Sequence, residues 1–292
     1  MSKITVIGST AMDLVVTTQK RPTKGETIIG ESFTTMPGGK GANQAIAAAK
    51  LGADVTMIGC LGDDAFGTEL LANFSKHQVA TDHMKIVPNV ESGTAHIVLA
   101  EGDNSIIVVK GANDLTTPEY IKQVLPAIKS SDIVLIQQEV PAETVELVSE
   151  KCAELNVPLL LNPAPARQLK QEVIDSATYI TPNEHEAEVL FGTKDIYKAL
   201  RHYPNKVFIT EGEKGVRYYN GNEEKLIPAY SVEVVDTTGA GDTFNAAFAV
   251  AIAEGKTIDD SLRFANQAAS ISVTGFGAQG GMPMRKEVES TI

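Results

Sequence analysis

Val235-Asp236-Thr237-Thr238-Gly239-Ala240-Gly241-Asp242-Thr243-Phe244-Asn245 is the stretch on which the reading of this chain turns. Ser231 to Val235, rich in β-branched residues, predicts the end of a strand. Thr243 to Glu254 is Ala-rich and closed by Gly255, which predicts a helix. Between them two glycines flank one small residue, a tight turn feeding a helix N-terminus. The first N–H groups of a helix have no partner inside it, and with the helix dipole they form a hole for an anion. Asp242 sits in that hole and reads either as the helix cap or as a base. The glycine pair, the following Thr243 and Asp236 six residues upstream favour the base. An anion hole with its own carboxylate suits transfer of a phosphoryl group to a hydroxyl, since the amides hold the moving group while the carboxylate accepts the proton.

Working outward, the 292 residues are 43% hydrophobic, enough for one large α/β domain over 1–292. A net charge of -12 disfavours nucleic acid and anionic membrane as partners, so an anionic substrate has to be held by local donors. The chain enters a strand directly after Met1-Ser2, without a charged start and apolar signal core. Cys60 and Cys152 are far apart and read as small packed thiols in a reducing compartment, which together predicts the cytoplasm. The five histidines show no metal-ligand spacing.

Lys3 to Gly8 predicts a buried strand, with Asp13 near its carboxyl end, the edge at which doubly wound sheets bind ligands. Leu14–Thr18 and Thr27–Thr35 predict strands outside the main sheet. Met36-Pro37-Gly38-Gly39-Lys40-Gly41-Ala42-Asn43-Gln44 is a second glycine turn feeding an Ala-rich helix, Ala42 to Leu51. Thr94–Ala100 and Ser105–Lys110, joined by Glu101-Gly102-Asp103-Asn104, predict a hairpin. Segments 14–36 and 94–110 together would make a small β-sheet lid over the edge where Asp13 and Gly39 lie. From Thr117 on, helices and strands alternate: helix Pro118–Ser130, strand Asp132–Gln137 with Glu139 at its exit, helix Ala142–Leu155, and strands near 158–161, 179–181 and 207–210. These strands end in polar or glycine residues, the pattern of a parallel sheet with its site along one edge.

Each loop alone is ordinary; their order is not. Gly38-Gly39-Lys40-Gly41-Ala42-Asn43 and Asp236-Thr237-Thr238-Gly239-Ala240-Gly241-Asp242 resemble the two signatures of the ribokinase-like sugar kinase family. Asn162-Pro163-Ala164-Pro165 and Thr181-Pro182-Asn183-Glu184-His185-Glu186 extend that resemblance over essentially the whole chain. It implies a three-layer α/β/α sandwich with a mostly parallel central sheet and a β lid. It also implies ATP-dependent phosphorylation of the 5-hydroxyl of D-ribose, and a homodimer formed through the lids. Carried onto this chain, Asp242 would be the base and Gly239, Ala240 and Gly241 the anion hole. The turn residues Gly38, Gly39, Lys40, Gly41, Ala42 and Asn43, with Ala11, Met12, Asp13 and Glu139, would hold the sugar. Asn183 and Glu186 would serve the phosphates and Mg2+, Glu186 through water. Thr210, Glu211, Gly212, Gly215 and Asn266 would line the nucleotide pocket, shared with Gly241. A potassium ion would sit against Asp236, Thr238, Ser272, Gly275, Gly277 and Gly281.

The chain departs from that family at one position. Where a sugar-binding Asn usually stands two residues before the first Asp, it has Ala11, so an amide contact to the sugar is missing or replaced by water. Kinases of the same fold acting on 2-deoxyribose, fructose or a nucleoside are the alternatives, as is a non-catalytic sugar sensor. Little apolar bulk precedes the Gly38-Gly39 turn for a nucleoside base, and a sensor needs neither Asp242 nor the Asn183/Glu186 pair.

Overall fold

Apolar residues fill both sides of the central strands, so each strand feeds two cores. Along β1 (Lys3–Ile7), Ile4 and Val6 enter one core and Ile7 the other. The computed structural model describes residues 1–290. After β1 the chain forms β2 (Ala11–Thr17), β3 (Ser32–Gly38), α1 (Lys40–Lys50), β4 (Asp54–Gly62), α2 (Ala65–Lys76), β5 (Ala80–Val87), β6 (Gly93–Ala100) and β7 (Asp103–Val109). It continues through α3 (Pro118–Gln123), α4 (Leu125–Lys129), β8 (Ile133–Ile136), α5 (Ala142–Leu155), β9 (Leu159–Leu161), α6 (Gln171–Ser176), β10 (Tyr179–Ile180), α7 (Glu184–Phe191) and α8 (Ile196–Leu200). The last elements are β11 (Phe208–Thr210), β12 (Val216–Tyr219), β13 (Glu224–Ile227), α9 (Ala240–Ala253), α10 (Ile258–Ser272) and α11 (Arg285–Glu289).

The central sheet has the order β10-β9-β8-β1-β4-β5, and every neighbouring pair is parallel. Parallel bridges at Ile180–Val207 and Asn183–Thr210 attach the antiparallel trio β11-β12-β13 beside β10. One core packs α1, α2, α9, α10 and α11 against the sheet. The other packs the α3–α8 side, with Ile7, Val134 and Ile136 facing it. This is the three-layer α/β/α arrangement the sequence predicts. A separate four-stranded sheet, β3-β2-β6-β7, stands off the carboxyl edge of β1. Its base is fastened by Asn113, whose amide holds both the N–H and the carbonyl of Thr10 at 2.9 Å and the carbonyl of Lys110 at 2.9 Å. No helix among the described residues is long and apolar enough to cross a membrane.

Several local expectations need correction. Ser231–Val235 is not a strand: Val232, Val234 and Val235 are exposed, and only Val235 and Asp236 reach a backbone partner there, the carbonyl of Val273. The outlying strands start at Ala11 and Ser32 rather than Leu14 and Thr27. The register that places Ala11 opposite Gly38 draws Met36, Pro37 and Gly38 out of the glycine turn and into β3. The helix over 118–130 breaks at Val124, because Pro126 has no N–H to continue the ladder and its ring crowds the preceding turn. β5 has no counterpart in the sequence reading; it is a sheet-edge strand with only Met84 buried.

Candidate active site

Asp242 stands in the first turn of α9, whose N-cap is Gly239 at φ 80°. That left-handed conformation favours glycine, and a Cβ there would lie 2.8 Å from the Cα of Ala278. No side chain caps the helix, so the reading of Asp242 as a cap fails. Its carboxylate is held by two amides from α1 instead. Asn43 Nδ2 donates to Oδ2 at 2.9 Å and Gln44 Nε2 donates to Oδ1 at 3.1 Å. Those amides are delivered by the other glycine turn, where Gly39, at φ 90°, is the N-cap of α1. Gly41 lets α1 lie on the end of β1, since a Cβ there would come within 2.7 Å of the backbone of Gly8 and Ser9. Two turns about two hundred residues apart therefore meet on one carboxylate.

Burial pushes the Asp242 carboxyl above the usual carboxylate range, and the Lys40 ammonium and the Asn43 and Gln44 amides pull it partly back. Lys40 does not simply face solvent. The charge of Asp242, against the opposing effect of burial and helped by Glu139, Glu186 and Asp13, holds its ammonium above the ordinary lysine value. Glu139 accepts from Ser9 Oγ and from the backbone N–H of Lys40 at 3.1 Å, at the positive end of α1. Asp13, on β2, is raised to about 7 by burial first, then by the charges of Glu139 and Asp242, with Lys40 opposing.

A cavity of about 160 Å³ lies between Asp242, Lys40, Gly239 and Gly241 on one side and Asn183, Glu186 and Thr210 on the other. Of the amides expected to form the anion hole, that of Ala240 donates to Thr237 O at 3.2 Å. The amides of Gly239 and Gly241, and that of Asp242 itself, have no acceptor among the described residues. Asn183 and Glu186 form a capping box at the start of α7, each side chain bonding the other's backbone N–H at 2.8 and 2.9 Å. The box engages one oxygen of Glu186; the other, and the Asn183 Nδ2, have no hydrogen-bond partner among the described residues. A wider cleft of about 900 Å³ opens between the four-stranded sheet, including Asp13, and the segments 235–238 and 276–280.

The remaining sequence-predicted residues are placed as follows. Met12 and Ala42 are core side chains, 0% and 1% exposed, and Ala11 is buried opposite Gly38 and Gly93. The Glu211 carboxylate is engaged by Arg217 at 2.6 and 3.2 Å, and its backbone N–H and carbonyl are bonded to Gly215 and Lys214, so this residue is tied up within its own turn. Gly215 packs against the backbone around Ile227, Gly212 is open, and Asn266 Nδ2 holds the carbonyls of Ile227 and Pro228 at 2.8 and 3.0 Å. Asp236 accepts from Thr238 N and Oγ1 at 2.9 and 2.7 Å and from Gly277 N at 2.9 Å. Against the burial that would raise it, those donors hold its carboxyl below the ordinary aspartate value. Gly281 packs on the carbonyl of Ser272 and against Gly275. The six residues thus fall into two groups, the Asp236 carboxylate with Thr238 and Gly277, and Gly281 close against Ser272 and Gly275.

The sequence reading missed the amide network behind Asp242. Gln137 Nε2 donates to Gln44 Oε1 at 2.6 Å, and Gln44 Nε2 also reaches Asn162 Oδ1 at 3.2 Å. Asn162 Nδ2 bonds Thr181 O at 3.3 Å, Thr181 Oγ1 donates to Asn245, and Asn245 Nδ2 holds Gly241 O at 2.8 Å. The signal for it is the pair Asn43-Gln44 inside an otherwise apolar helix, where buried amides need partners.

The sequence pattern of the pfkB family carbohydrate kinases matches residues 1–285. The ribokinase of Bacillus subtilis is 63% identical over 292 residues, covering all of both chains. The deoxyribokinase of Salmonella typhimurium is 37% identical, covering 96% of this chain and 95% of that one. The structure of Arabidopsis thaliana ribokinase complexed with ribose and ATP superposes with a TM-score of 0.92 at 36% identity, over 99% of this chain and 98% of the other.

Proposed function

The chain belongs to the pfkB family of carbohydrate kinases, and we propose that within it this enzyme transfers the γ-phosphoryl group of ATP to the 5-hydroxyl of D-ribose, giving D-ribose 5-phosphate and ADP. The observation that carries the reading is the Asp242 carboxylate, buried at the amide end of α9 beside a polar cavity. The similarity to ribokinases over the full chain selects the substrate.

Ribose offers only hydroxyls and a ring oxygen, so carboxylates and amides are the groups that can bind it. Asp13 and Glu139 accept from its hydroxyls, with Lys40 balancing their charge. Asp242 faces the 5-hydroxyl and takes its proton as the new P–O bond forms and the bond to ADP breaks. The free amides of Gly239 and Gly241 hold the oxygens of the transferring group, and the α9 dipole favours the charge there. In a loose transition state the hydroxyl becomes acidic late, so positioning by these groups dominates. Thr210, Gly212, Gly215 and Asn266 shape the nucleotide side. Asn183 and the free oxygen of Glu186 would hold magnesium through water; when bound, it would neutralise phosphate charge. The 236–238 and 272–281 segments would hold potassium, which would order the turn before α9.

We further propose that the four-stranded sheet is a lid and that a second copy covers its outer face. Ile107 and Val109 on edge strand β7 are 70% and 50% exposed, and Phe33 on the same face is 63% exposed; Ile106 and Val108 alternate with them onto the face toward the cleft. Such an apolar edge is ordinarily covered. The compartment proposed is the cytoplasm, where Cys60 and Cys152, both free, remain reduced. The test is a sugar panel of ribose, 2-deoxyribose, fructose and nucleosides with magnesium-ATP, with and without potassium. Ribose-dependent ADP release with ribose 5-phosphate as product supports the reading. Preference for 2-deoxyribose would move the assignment, and release with no sugar would remove it.

A further inference from the structure

The Asp242 carboxylate is ionised when it acts as a base, and an ionised carboxylate only accepts hydrogen bonds. The Asn43 atom at 2.9 Å from Oδ2 is therefore its nitrogen, and the amide oxygen of Asn43 faces away. That oxygen meets Gln279 Nε2 at 3.0 Å. The oxygen of Gln279 in turn accepts from Asn73 Nδ2 at 2.8 Å. The polarity of three amides in a row is thus set by one negative charge. They run from α2 through the 276–281 segment and α1 to α9. The middle amide is anchored by its main chain, for Lys50 Nζ donates to the carbonyls of Gln279 and Met282, both at 3.0 Å.

We propose that Gln279 is a positioning residue for the reaction: by donating to Asn43 it locks that amide as a donor to Asp242, and so makes the alignment of the base depend on the 276–281 segment. Turning the Asn43 amide over would set an oxygen against the carboxylate. The Gln279 donor resists this by removing the alternative in which the Asn43 nitrogen finds a partner on the outer side. The other oxygen of Asp242 is held through Gln44 by the buried Gln137 and Asn162, so it has no such link to a surface segment. Gly277, two residues before Gln279, donates to Asp236, so the same segment touches both ends of the turn that precedes α9. The inference rests on the assignment of Asp242 as the base of ribose phosphorylation. The amide of Asn43 is among the groups that keep the buried Asp242 carboxyl from rising further.

The experiment compares full-length Gln279→Leu, Gln279→Glu and Asn73→Ala with the parent, measuring kcat and KM for ribose and ATP across pH. Gln279→Leu lowers kcat about tenfold, the scale of one weakened hydrogen bond to a charged group, with both KM values within about twofold. The acid limb of kcat moves up by about half a pH unit, because a base that loses a donor needs higher pH to be ionised. Gln279→Glu has the larger effect, since a carboxylate cannot donate to Asn43 and repels its oxygen. Asn73→Ala, at the outer end of the relay, has a smaller effect of the same sign and carries the test if the Leu variant melts too early to assay. An unchanged kcat and acid limb, or a change confined to KM, overturns the positioning role. If Asp242→Asn is inactive while the Gln279 variants behave as the parent, only the relay is lost. If the parent itself phosphorylates no ribose, the underlying assignment goes with it.

Discussion

Asp13 holds a buried negative charge beside two others, and the protein should be more stable without it. The carboxyl is raised from 3.8 to about 7, by burial first and then by Glu139 and Asp242, with the single ammonium of Lys40 opposing. In the unfolded chain it ionises near its ordinary value. Between about pH 4 and pH 7 the folded form therefore keeps a proton that the unfolded form has lost, and stability falls by about 1.4 kcal/mol for each pH unit climbed. Above about pH 7 both forms are ionised and the loss is complete. Lowering the pH from about 7 to about 5.5 should then return about 2 kcal/mol, or several degrees in melting temperature for a chain of this size. Asp13→Asn removes the titration, because an amide has no charge to bury. The assay is thermal melting of both proteins, without substrate, at steps from about pH 5.5 to 8. The expected result is an Asn variant more stable at about pH 8, with a gap that narrows steadily below pH 7. The same variant should lower ribose turnover, because an amide keeps one accepting oxygen where the carboxylate offers two to the sugar hydroxyls. Two melting curves that run parallel across this range would refute the argument, since they would mean Asp13 is ionised without cost in the folded protein.

Three further outcomes follow from the same structure. Asp242→Asn should lower kcat by about a hundredfold or more, the scale of base catalysis, while ATP binding followed by calorimetry persists; a rate near that of the parent would exclude the base. Asn113→Ala removes three hydrogen bonds at the root of the four-stranded sheet and should cost about 3 kcal/mol in denaturant unfolding. It should also raise the KM for ribose, because Thr10 leads directly into the strand that carries Asp13. Gly41→Ala forces a methyl against the backbone of Gly8 and Ser9 at 2.7 Å and should cost about 2 kcal/mol. Its melting temperature should fall even at pH values where Asp13 is protonated.

How far the sequence discloses this molecule depends on the range of the interaction concerned. The helix Ala142–Leu155 is read to the residue, because its apolar spacing and flanking Pro141 and Asn156 are local, and Asn156 takes the left-handed C-cap. The two glycine turns are legible for the same reason: Gly39 and Gly239 adopt conformations that favour glycine. Ser231–Val235 misleads because β-branched alternation favours a strand only where a neighbour exists to pair with, and here none does. β3 is misplaced because its bounds come from register with β2, which no pattern inside 27–35 encodes.

The site is harder to read than the fold because its polar partners are remote. Asn43 reaches across 199 positions to Asp242, Gln44 across 118 to Asn162, and Gln279 across 236 to Asn43. Hydrophobic burial is non-directional, so a periodic pattern suffices to announce it. A hydrogen bond is directional and names its partner only once both are in place. What the sequence does expose is the demand: two adjacent amides in an Ala-rich, buried turn of helix cannot be left unsatisfied without a cost of about 1–3 kcal/mol each. That demand marks Asn43 and Gln44, from the sequence alone, as groups that must find polar partners. The carboxylate that answers it is the one the second glycine turn places at the amide end of α9.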